Sequence, residues 1–418
     1  METTWKTTLA QLNEYLVNNP NISIGNNLIC IPAEVRPEFW RLFDKVQSDF
    51  LKDYFPDFLE RGYALSRAWS GMSKTVLRQM ALEHILIEPS VQWFLNDPVD
   101  GLTRSLSDPL FEILKNRTDA AAFEETGKRL VHSAFISYFK EGYMRWVELA
   151  ILSSLDPDKS YRVPAVDAIA DPLMGEGHEN PGERVANAPE AERVNSLSFQ
   201  QHPIVSYVVA KIMVWSVRLG RFVAMHSEFV EPYWTAREVT RNAEWLDFTQ
   251  LKIANGLARI RPDQKIPPDL SNILPDIEIY LADDLSDIKL IADHSRILRP
   301  DVSVEVMEDA DWFEKGRLSS IRRHHAVIKP RFGTFILCRV QPSQAALDEL
   351  MPKPAVPAQT PATSEAPVTG GMTAGIPEQP APAPVPELCP DIHILEIGYD
   401  QGRLEPLIES LNKLNKQA

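Results

Sequence analysis

Cysteine is scarce in this chain, and so is any segment typical of export. The 418 residues contain three cysteines, Cys30, Cys338 and Cys389, which are too few and too far apart for a disulfide framework. The N-terminus has no basic stretch followed by a continuous apolar run, the pattern of a signal peptide. These absences exclude a small disulfide-stapled secreted domain and predict a protein of the reducing cytoplasm.

Basic residues are also in short supply. The chain has 43 Lys and Arg against 58 Asp and Glu, which gives a net charge of -15. The average field of such a protein repels a phosphate backbone or an anionic lipid surface. We therefore expect no nucleic-acid partner.

Long uninterrupted apolar runs are absent as well. The most apolar stretch, residues 204–224, contains three cations, each of which would cost roughly 2.5 to 3.5 kcal/mol near a membrane centre. We expect no transmembrane segment and interpret the stretch as a central helix of a bundle. The aromatic and cationic residues that would share a face of this helix are Tyr207, Lys211, Trp215, Arg218 and Phe222. This candidate face either binds an anionic or aromatic ligand or packs with its cations reaching solvent.

Strong catalytic motifs are missing too. The sequence has no GxGxxG, HExxH or GxSxG motif and no CxxC pair, so several enzyme classes lose their usual evidence. No cofactor is predicted. This absence favours a non-enzymatic protein.

The chain does contain a clear change of hydrophobic period. From about Pro32 to Leu155 apolar residues recur at three- and four-residue spacing, which predicts helices. In the last of these helices Glu141, Arg145 and Glu148 form a charged stripe, which predicts one solvent-facing side. From Pro268 the period becomes alternating, which predicts strands.

A Pro-Asp dipeptide launches three of the predicted strands. Pro275-Asp276, Pro300-Asp301 and Pro390-Asp391 each precede an alternating apolar stretch, because Pro fixes φ and Asp closes a turn. We expect the three strands to belong to one sheet. A helix and a hairpin (HHAVIK/PRFG/TFILCRV) are predicted to follow the second strand.

These patterns predict a multidomain α plus α/β protein with a mixed sheet. Its C-terminal strand-helix unit is too small to fold alone, so we expect it to complete the sheet of the α/β domain or to dock on a second copy. The predicted divisions are an all-α helical domain at 1–155, a long loop at 156–202, a helical pair packing on the N-terminal domain at 203–262, an α/β domain at 263–340, a disordered Pro/Ala-rich linker at 341–388 and the strand-helix unit at 389–418.

An acidic cluster follows the first strand of the α/β domain. Asp283, Asp284 and Asp287 are candidate Mg²⁺ ligands if strand ends present them to a ligand, and turn or cap residues if not. The segment IYLADDLSDIKLIADHSRIL resembles the first strand and helix of response-regulator receiver domains, whose paired acids bind magnesium. PDIHILEIGYD resembles the receiver strand that carries the phosphorylated aspartate, with Glu396 at that position. The resemblance implies a receiver-like module that cannot be phosphorylated.

A basic stretch follows an acidic one. Residues 301–314 carry acids and no base, and residues 315–331 carry bases and no acid. Such a patch can seat an anion or the acidic surface of a partner, or it can pair internally and complement a helix dipole. The candidate residues are Lys315, Arg317, Arg322, Arg323, His324, His325, Lys329 and Arg331.

The sequence therefore favours a cytoplasmic protein-interaction or regulatory subunit whose partner is another protein or a second copy of itself. One alternative is a metal- or anion-dependent enzyme with a site near Asp283/Asp284 and Arg322/Arg323. Another is a membrane-surface protein that uses the helix around Trp215.

Overall fold

The structure is a computed structural model that describes residues 4–25, 29–162, 192–199, 212–227, 275–284, 300–313, 316–328, 330–344 and 391–413. Its N-terminal part is mostly helical, as predicted. The helices of this part are α1 (Thr4–Asn18), α2 (Arg36–Tyr54), α3 (Pro56–Gln79), α4 (Pro89–Asn96), α5 (Pro98–Thr103), α6 (Ser107–Leu114) and α7 (Ala120–Ser154), with a 3-10 turn at Arg104–Leu106.

Local signals explain where several of these helices begin. Helices α2 to α5 have proline at their first or second position, where its missing N–H costs nothing. Asp97 and Asp119 cap α5 and α7 by accepting hydrogen bonds from the backbone N–H of Val99 and Ala122. The helical body is thus defined by its own sequence.

Helix α7 is the centre of the molecule. Its first half alternates buried and exposed positions, but every residue from 142 to 153 is buried. A helix that is buried all round must be covered on all sides. The helices cover one side, and a sheet covers the other, since both belong to one apolar cluster. The predicted solvent-facing stripe is therefore wrong, because Arg145 and Glu148 are buried.

The sheet is mixed, as predicted, and the described residues contribute eight strands to it. Its strands are β4 (Pro157–Arg162), β5 (Glu192–Val194), β7 (Ile212–Ser216), β8 (Arg221–Ser227), β9 (Ile277–Ala282), β10 (Val302–Met307), β11 (Thr334–Cys338) and β12 (Ile392–Glu396). In spatial order the sheet runs β12-β11-β10-β9-β8-β7-β4-β5. The pairs β10–β11 and β11–β12 are parallel, and the other pairs are antiparallel. The short strands β1 (Ser23–Ile24), β2 (Ile29–Cys30), β3 (His84–Leu86) and β6 (Ser196–Ser198) form two separate pairs, β1–β2 and β3–β6.

The sheet is larger than predicted because two segments were misassigned. The segment predicted as a long loop contains β4, β5 and β6. The segment predicted as a central helix contains the antiparallel pair β7–β8, joined by a turn in which Gly220 has φ +62°. A continuous apolar run also fits a strand buried on both faces, and here Gly220 and the β-branched residues favour that alternative. The second helix of the pair predicted at 203–262 lies outside the described residues.

The segment after β10 also differs from its prediction. Helix α8 (Arg317–Ile328) includes residues 324–328 of the predicted first hairpin strand, and β11 then runs parallel to β10. The local unit is therefore β-α-β rather than a hairpin. The helix predicted at the end of β9 and nearly all of the predicted linker lie outside the described residues.

The three strands that follow Pro-Asp dipeptides, β9, β10 and β12, belong to one sheet, as predicted. After β12 the chain forms a 3-10 turn (Gln401–Leu404) and helix α9 (Glu405–Leu411). Residues 391–413 are called the C-terminal unit below. No helix among the described residues is long and apolar enough to cross a membrane.

Candidate functional site

The acidic cluster after β9 is an exposed strand end. Asp283 and Asp284 are exposed, and Asp283 Oδ1 pairs with Arg221 Nε at 3.0 Å. Asp287 lies outside the described residues. Within the described ranges, no group of three or more His, Cys, Asp or Glu side chains is placed to hold a metal ion. Magnesium binding here stays a prediction.

The receiver-like segments do not form a receiver-like sheet. Strand β9 is antiparallel to both of its neighbours, β8 and β10, whereas doubly wound folds of the receiver type are built on parallel strands. Glu396 ends β12 and lies 3.4 Å from the guanidinium of Arg403. The resemblance is therefore one of local sequence.

The described members of the basic stretch pair mostly with acids of the same module. Arg317 lies 3.6 Å from Asp276 and 3.9 Å from Glu308. Arg331 lies 3.9 Å from Asp301. Arg322 and Arg323 lie on α8, while Lys315 and Lys329 lie outside the described residues. Internal pairing, the alternative interpretation of this stretch, accounts for these contacts.

The aromatic/cationic face is not on a helix. Trp215 and Phe222 are cross-strand neighbours on β7 and β8, with ring centroids 4.8 Å apart, and both are half-buried. Arg218 lies in the turn and pairs with Glu405 of the C-terminal unit. Tyr207 and Lys211 lie outside the described residues. The helix predicted around Trp215 is wrong, because Trp215 lies on strand β7. Binding to a membrane surface stays a prediction.

A buried polar layer lies on the sheet face that α8 covers. His226, Glu278, Ser303 and Thr334 are register neighbours across β8, β9, β10 and β11, and each is at most 2% exposed. Polar side chains at this depth need partners, or they cost free energy. The polar layer therefore either helps to specify the fold or takes part in the function of the protein.

Helix α8 adds two histidines to this layer. His324 Nδ1 lies 2.6 Å from Glu305 Oε1, and His325 Nδ1 lies 2.9 Å from Thr334 Oγ1. The sequence placed both histidines in a basic patch, but they are buried and face the sheet. Desolvation lowers the pKa of His325.

Glu278 is the most perturbed carboxyl group of the layer. Burial raises its pKa to about 7, opposed by a hydrogen bond that the Tyr280 hydroxyl donates at 2.8 Å and by the nearby His324. Its Oε1 atom and the Oγ atom of Ser303 have no hydrogen-bond partner in the described structure. The signal in the sequence was the presence of Glu278 in β9 and of Ser303 and Glu305 at alternate positions of β10, polar residues within otherwise apolar strands.

A cavity of about 260 Å³ opens where the helical body meets the strand ends. We call it the junction cavity. Helices α3 and α7 supply one wall and the segment after β10 supplies the other. Its lining residues are Phe58, Arg61, His132, Phe135, Ile136, Phe139, Glu308, Asp309 and Asp311. Ligand sites often lie at such junctions and beside the carboxyl ends of strands.

Arg61 is the central side chain of the junction cavity. Its guanidinium lies over the rings of Phe135 and Phe139, at 5.1 and 4.6 Å from their centroids. Its Nη2 donates to Asp309 Oδ1 at 2.7 Å. Asp283, Asp284 and Arg322 do not line this cavity. The predicted enzyme site is thus not reproduced by the junction cavity.

The C-terminal unit packs against α7, the helix that also lines the junction cavity. Arg339, which follows β11, also lies over the Phe139 ring, with its guanidinium carbon 5.3 Å from the ring centroid, and its Nε donates to the Glu308 carbonyl oxygen at 2.6 Å. Tyr399 packs edge-on against Trp146 with centroids 5.4 Å apart, and burial raises its pKa to about 12. No sequence pattern singled out Arg339, Tyr399 or Trp146. The one sequence signal near them was the i, i+4 spacing of Phe135 and Phe139 on α7.

Comparison with protein-family models, curated proteins and solved structures finds no match to this chain.

Proposed function

We propose that the protein is a non-enzymatic interaction or regulatory subunit of the cytoplasm, and that the C-terminal unit is its exchangeable binding element. The partner is a second copy of the chain, or another protein that offers a docking surface like the one that β11 and α7 form for this unit. The observation that carries this proposal is the position of β12, which ends the sheet although it follows the Pro/Ala-rich segment in sequence.

The docking contacts of the C-terminal unit are well defined. Backbone hydrogen bonds join Thr334 N to Asp391 O and Ile397 N to Cys338 O, both at 2.8 Å. The Tyr143 hydroxyl donates to the Gly398 carbonyl oxygen at 3.2 Å. The apolar side chains that the unit buries are Ile397, Leu404, Leu407, Ile408 and Leu411.

The same contacts can form in cis or in trans. Every one of them joins the unit to the body of the protein, and a unit from a second copy presents identical groups. A tether of this length gives the unit of the same chain an effective concentration in the millimolar range at most. Concentrated protein, or a tether too short to reach from β11 to β12 of the same chain, therefore favours exchange.

Tether length gives the test of this proposal. Parallel neighbouring strands need a connection of about a dozen residues or more, so deletion of residues 345–388, which leaves nine residues between β11 and β12, disfavours pairing of the two strands within one chain. We expect the deletion variant to form a dimer in light-scattering chromatography. The matched control replaces the same residues with a Gly/Ser sequence of equal length and stays monomeric at the same concentration. A monomeric deletion variant with a protease-sensitive C-terminal unit would refute exchange.

A further inference from the structure

We propose that the body of the protein recognises the C-terminal unit through the residue pair Gly398-Tyr399. A partner segment then fits the same surface when it is an extended apolar strand followed by glycine and an aromatic residue. This inference rests on the proposed function, because it names the kind of segment that can take the place of the unit. The pair lies between β12 and the 3-10 turn, where the chain leaves the sheet.

Gly398 has a backbone conformation that favours glycine. Its φ is +53°, in the left-handed region, where a Cβ atom causes steric strain. The Gly398 N–H donates to the Cys338 carbonyl oxygen at 3.3 Å, and the Tyr143 hydroxyl donates to the Gly398 carbonyl oxygen at 3.2 Å. Both backbone groups of Gly398 are thus held by the body, one by β11 and the other by α7. A residue with a side chain would have to bear the strain to keep these two hydrogen bonds.

Tyr399 is the aromatic anchor of the unit. Its ring packs edge-on against two rings of α7, with centroid distances of 5.9 Å to Tyr143 and 5.4 Å to Trp146. Those two rings are buried and stack on each other. Edge-to-face ring pairs stabilise a contact beyond the burial of their area, and tyrosine and tryptophan often dominate binding at interfaces. An aliphatic residue at position 399 would lose this contact.

The ring of Tyr399 matters more than its hydroxyl group. The Oη atom is buried and has no hydrogen-bond partner in the part of the chain that the structure describes. An unpaired buried hydroxyl costs free energy, and phenylalanine would bury the same ring without that cost. A partner segment can therefore carry either tyrosine or phenylalanine at this position.

The other contacts of the unit select less sharply between sequences. Strand β12 pairs with β11 through backbone groups, which any extended segment offers. The buried leucine and isoleucine side chains of the unit contribute apolar area, which many sequences supply. Selection of a partner therefore depends on the positions that need a particular type of residue, as Gly398 and Tyr399 do.

Peptide binding to the full-length protein tests this inference. The receptor is the full-length Tyr399→Leu variant, whose own unit docks more weakly and competes less with an added peptide. The ligand is a fluorescein-labelled peptide of residues 390–413, followed by fluorescence anisotropy. We expect a Tyr399→Phe peptide to bind within about threefold of the wild-type peptide. Tyr399→Leu and Gly398→Ala peptides should each bind about tenfold more weakly. A peptide with the exposed change Glu409→Gln is the matched control and should bind like the wild type.

A change in the body of the receptor gives a second measurement. Tyr143→Phe removes the hydroxyl that donates to Gly398 and should weaken binding of the wild-type peptide about fivefold. Tyr63→Phe, at an exposed tyrosine of α3, is the matched control and should leave binding unchanged. Thermal melting of both receptors checks that neither change unfolds the body.

Two contrary outcomes overturn different statements. If the wild-type, Tyr399→Leu and Gly398→Ala peptides bind equally well, recognition uses apolar area alone, and this inference fails while exchange of the unit stands. If no peptide binds at concentrations up to the millimolar range, the unit does not dock in trans, and the proposed exchange itself fails.

Discussion

At the scale of the residue, the buried charges are paired in a definite way. Arg145 is 1% exposed; its Nε donates to Glu141 Oε1 and its Nη1 to Glu148 Oε2, both at 2.7 Å. Its Nη1 also lies 3.4 Å from Ser227 Oγ on β8. This network joins α7 to the sheet. A pattern of alternating charges cannot reveal such burial, because the sheet that covers it comes from distant sequence.

Removing the Arg145 guanidinium should destabilise the folded protein, because Glu148 would remain buried without a counter-charge. Arg145→Met leaves Glu148 buried and without its partner, and we expect a loss of about 3 to 5 kcal/mol in the free energy of unfolding. The double variant Arg145→Met/Glu148→Gln should recover part of that loss. Urea unfolding followed by tryptophan fluorescence measures both. Equal stability of the single and double variants would contradict the assignment.

Glu278 should make stability depend on pH. The unfolded chain releases this proton near pH 4 to 5, whereas the folded protein keeps it until about pH 7. The folded state binds more protons in that window, so its stability falls as pH rises from about 5 to 7, by up to about 3 kcal/mol. Asp301, with a pKa that burial raises to about 6, acts in the same direction.

Glu278→Gln tests this dependence, because the amide keeps an acceptor for Tyr280 and does not titrate. We expect its melting temperature to fall less between pH 5 and pH 8, and to exceed the wild-type value at pH 8. The exposed change Glu14→Gln should keep the wild-type pH profile. An unchanged profile in Glu278→Gln would show that another group carries the effect.

At the scale of the element, the close approach of β11 and β12 depends on Gly333. Gly333 has φ +97°, and a Cβ atom there would overlap the carbonyl oxygen of Asp391. Gly333→Ala should therefore release the C-terminal unit, which limited proteolysis followed by mass spectrometry would detect. Gly220→Ala is the matched control, since Gly220 has φ +62° and open space around it. Both variants pay the strain of positive φ, about 1 to 2 kcal/mol, but only the first blocks docking. Equal protection of the unit in both variants would contradict this role of Gly333.

The elements also show what sequence patterns could and could not predict. Strands β9, β10 and β12 were predicted because Pro-Asp turns and alternation mark them locally. The pair β7–β8 was missed because a strand buried on both faces has no alternation to detect. The histidines of α8 were missed as layer residues because the helix was predicted to end before them.

At the scale of the whole molecule, the sheet lies between the helical body on one face and α8 on the other. One of its faces shares an apolar cluster with α7 and the helical body, and the other carries the polar layer and α8. The helical half was predictable from local period. The junction cavity was not, since its two walls come from residues more than 160 positions apart that only the tertiary structure brings together.

The most direct test of the proposed exchange is energy transfer between two full-length proteins. One protein carries a donor dye on the exposed Cys30, with Cys389→Ser; the other carries an acceptor on Glu409→Cys, with Cys30→Ser and Cys389→Ser. Cys338 is buried in both. Exchange predicts transfer that grows on mixing and with concentration, and that Gly333→Ala abolishes. A doubly labelled single chain that shows transfer, beside mixed chains that show none at any concentration, would contradict it.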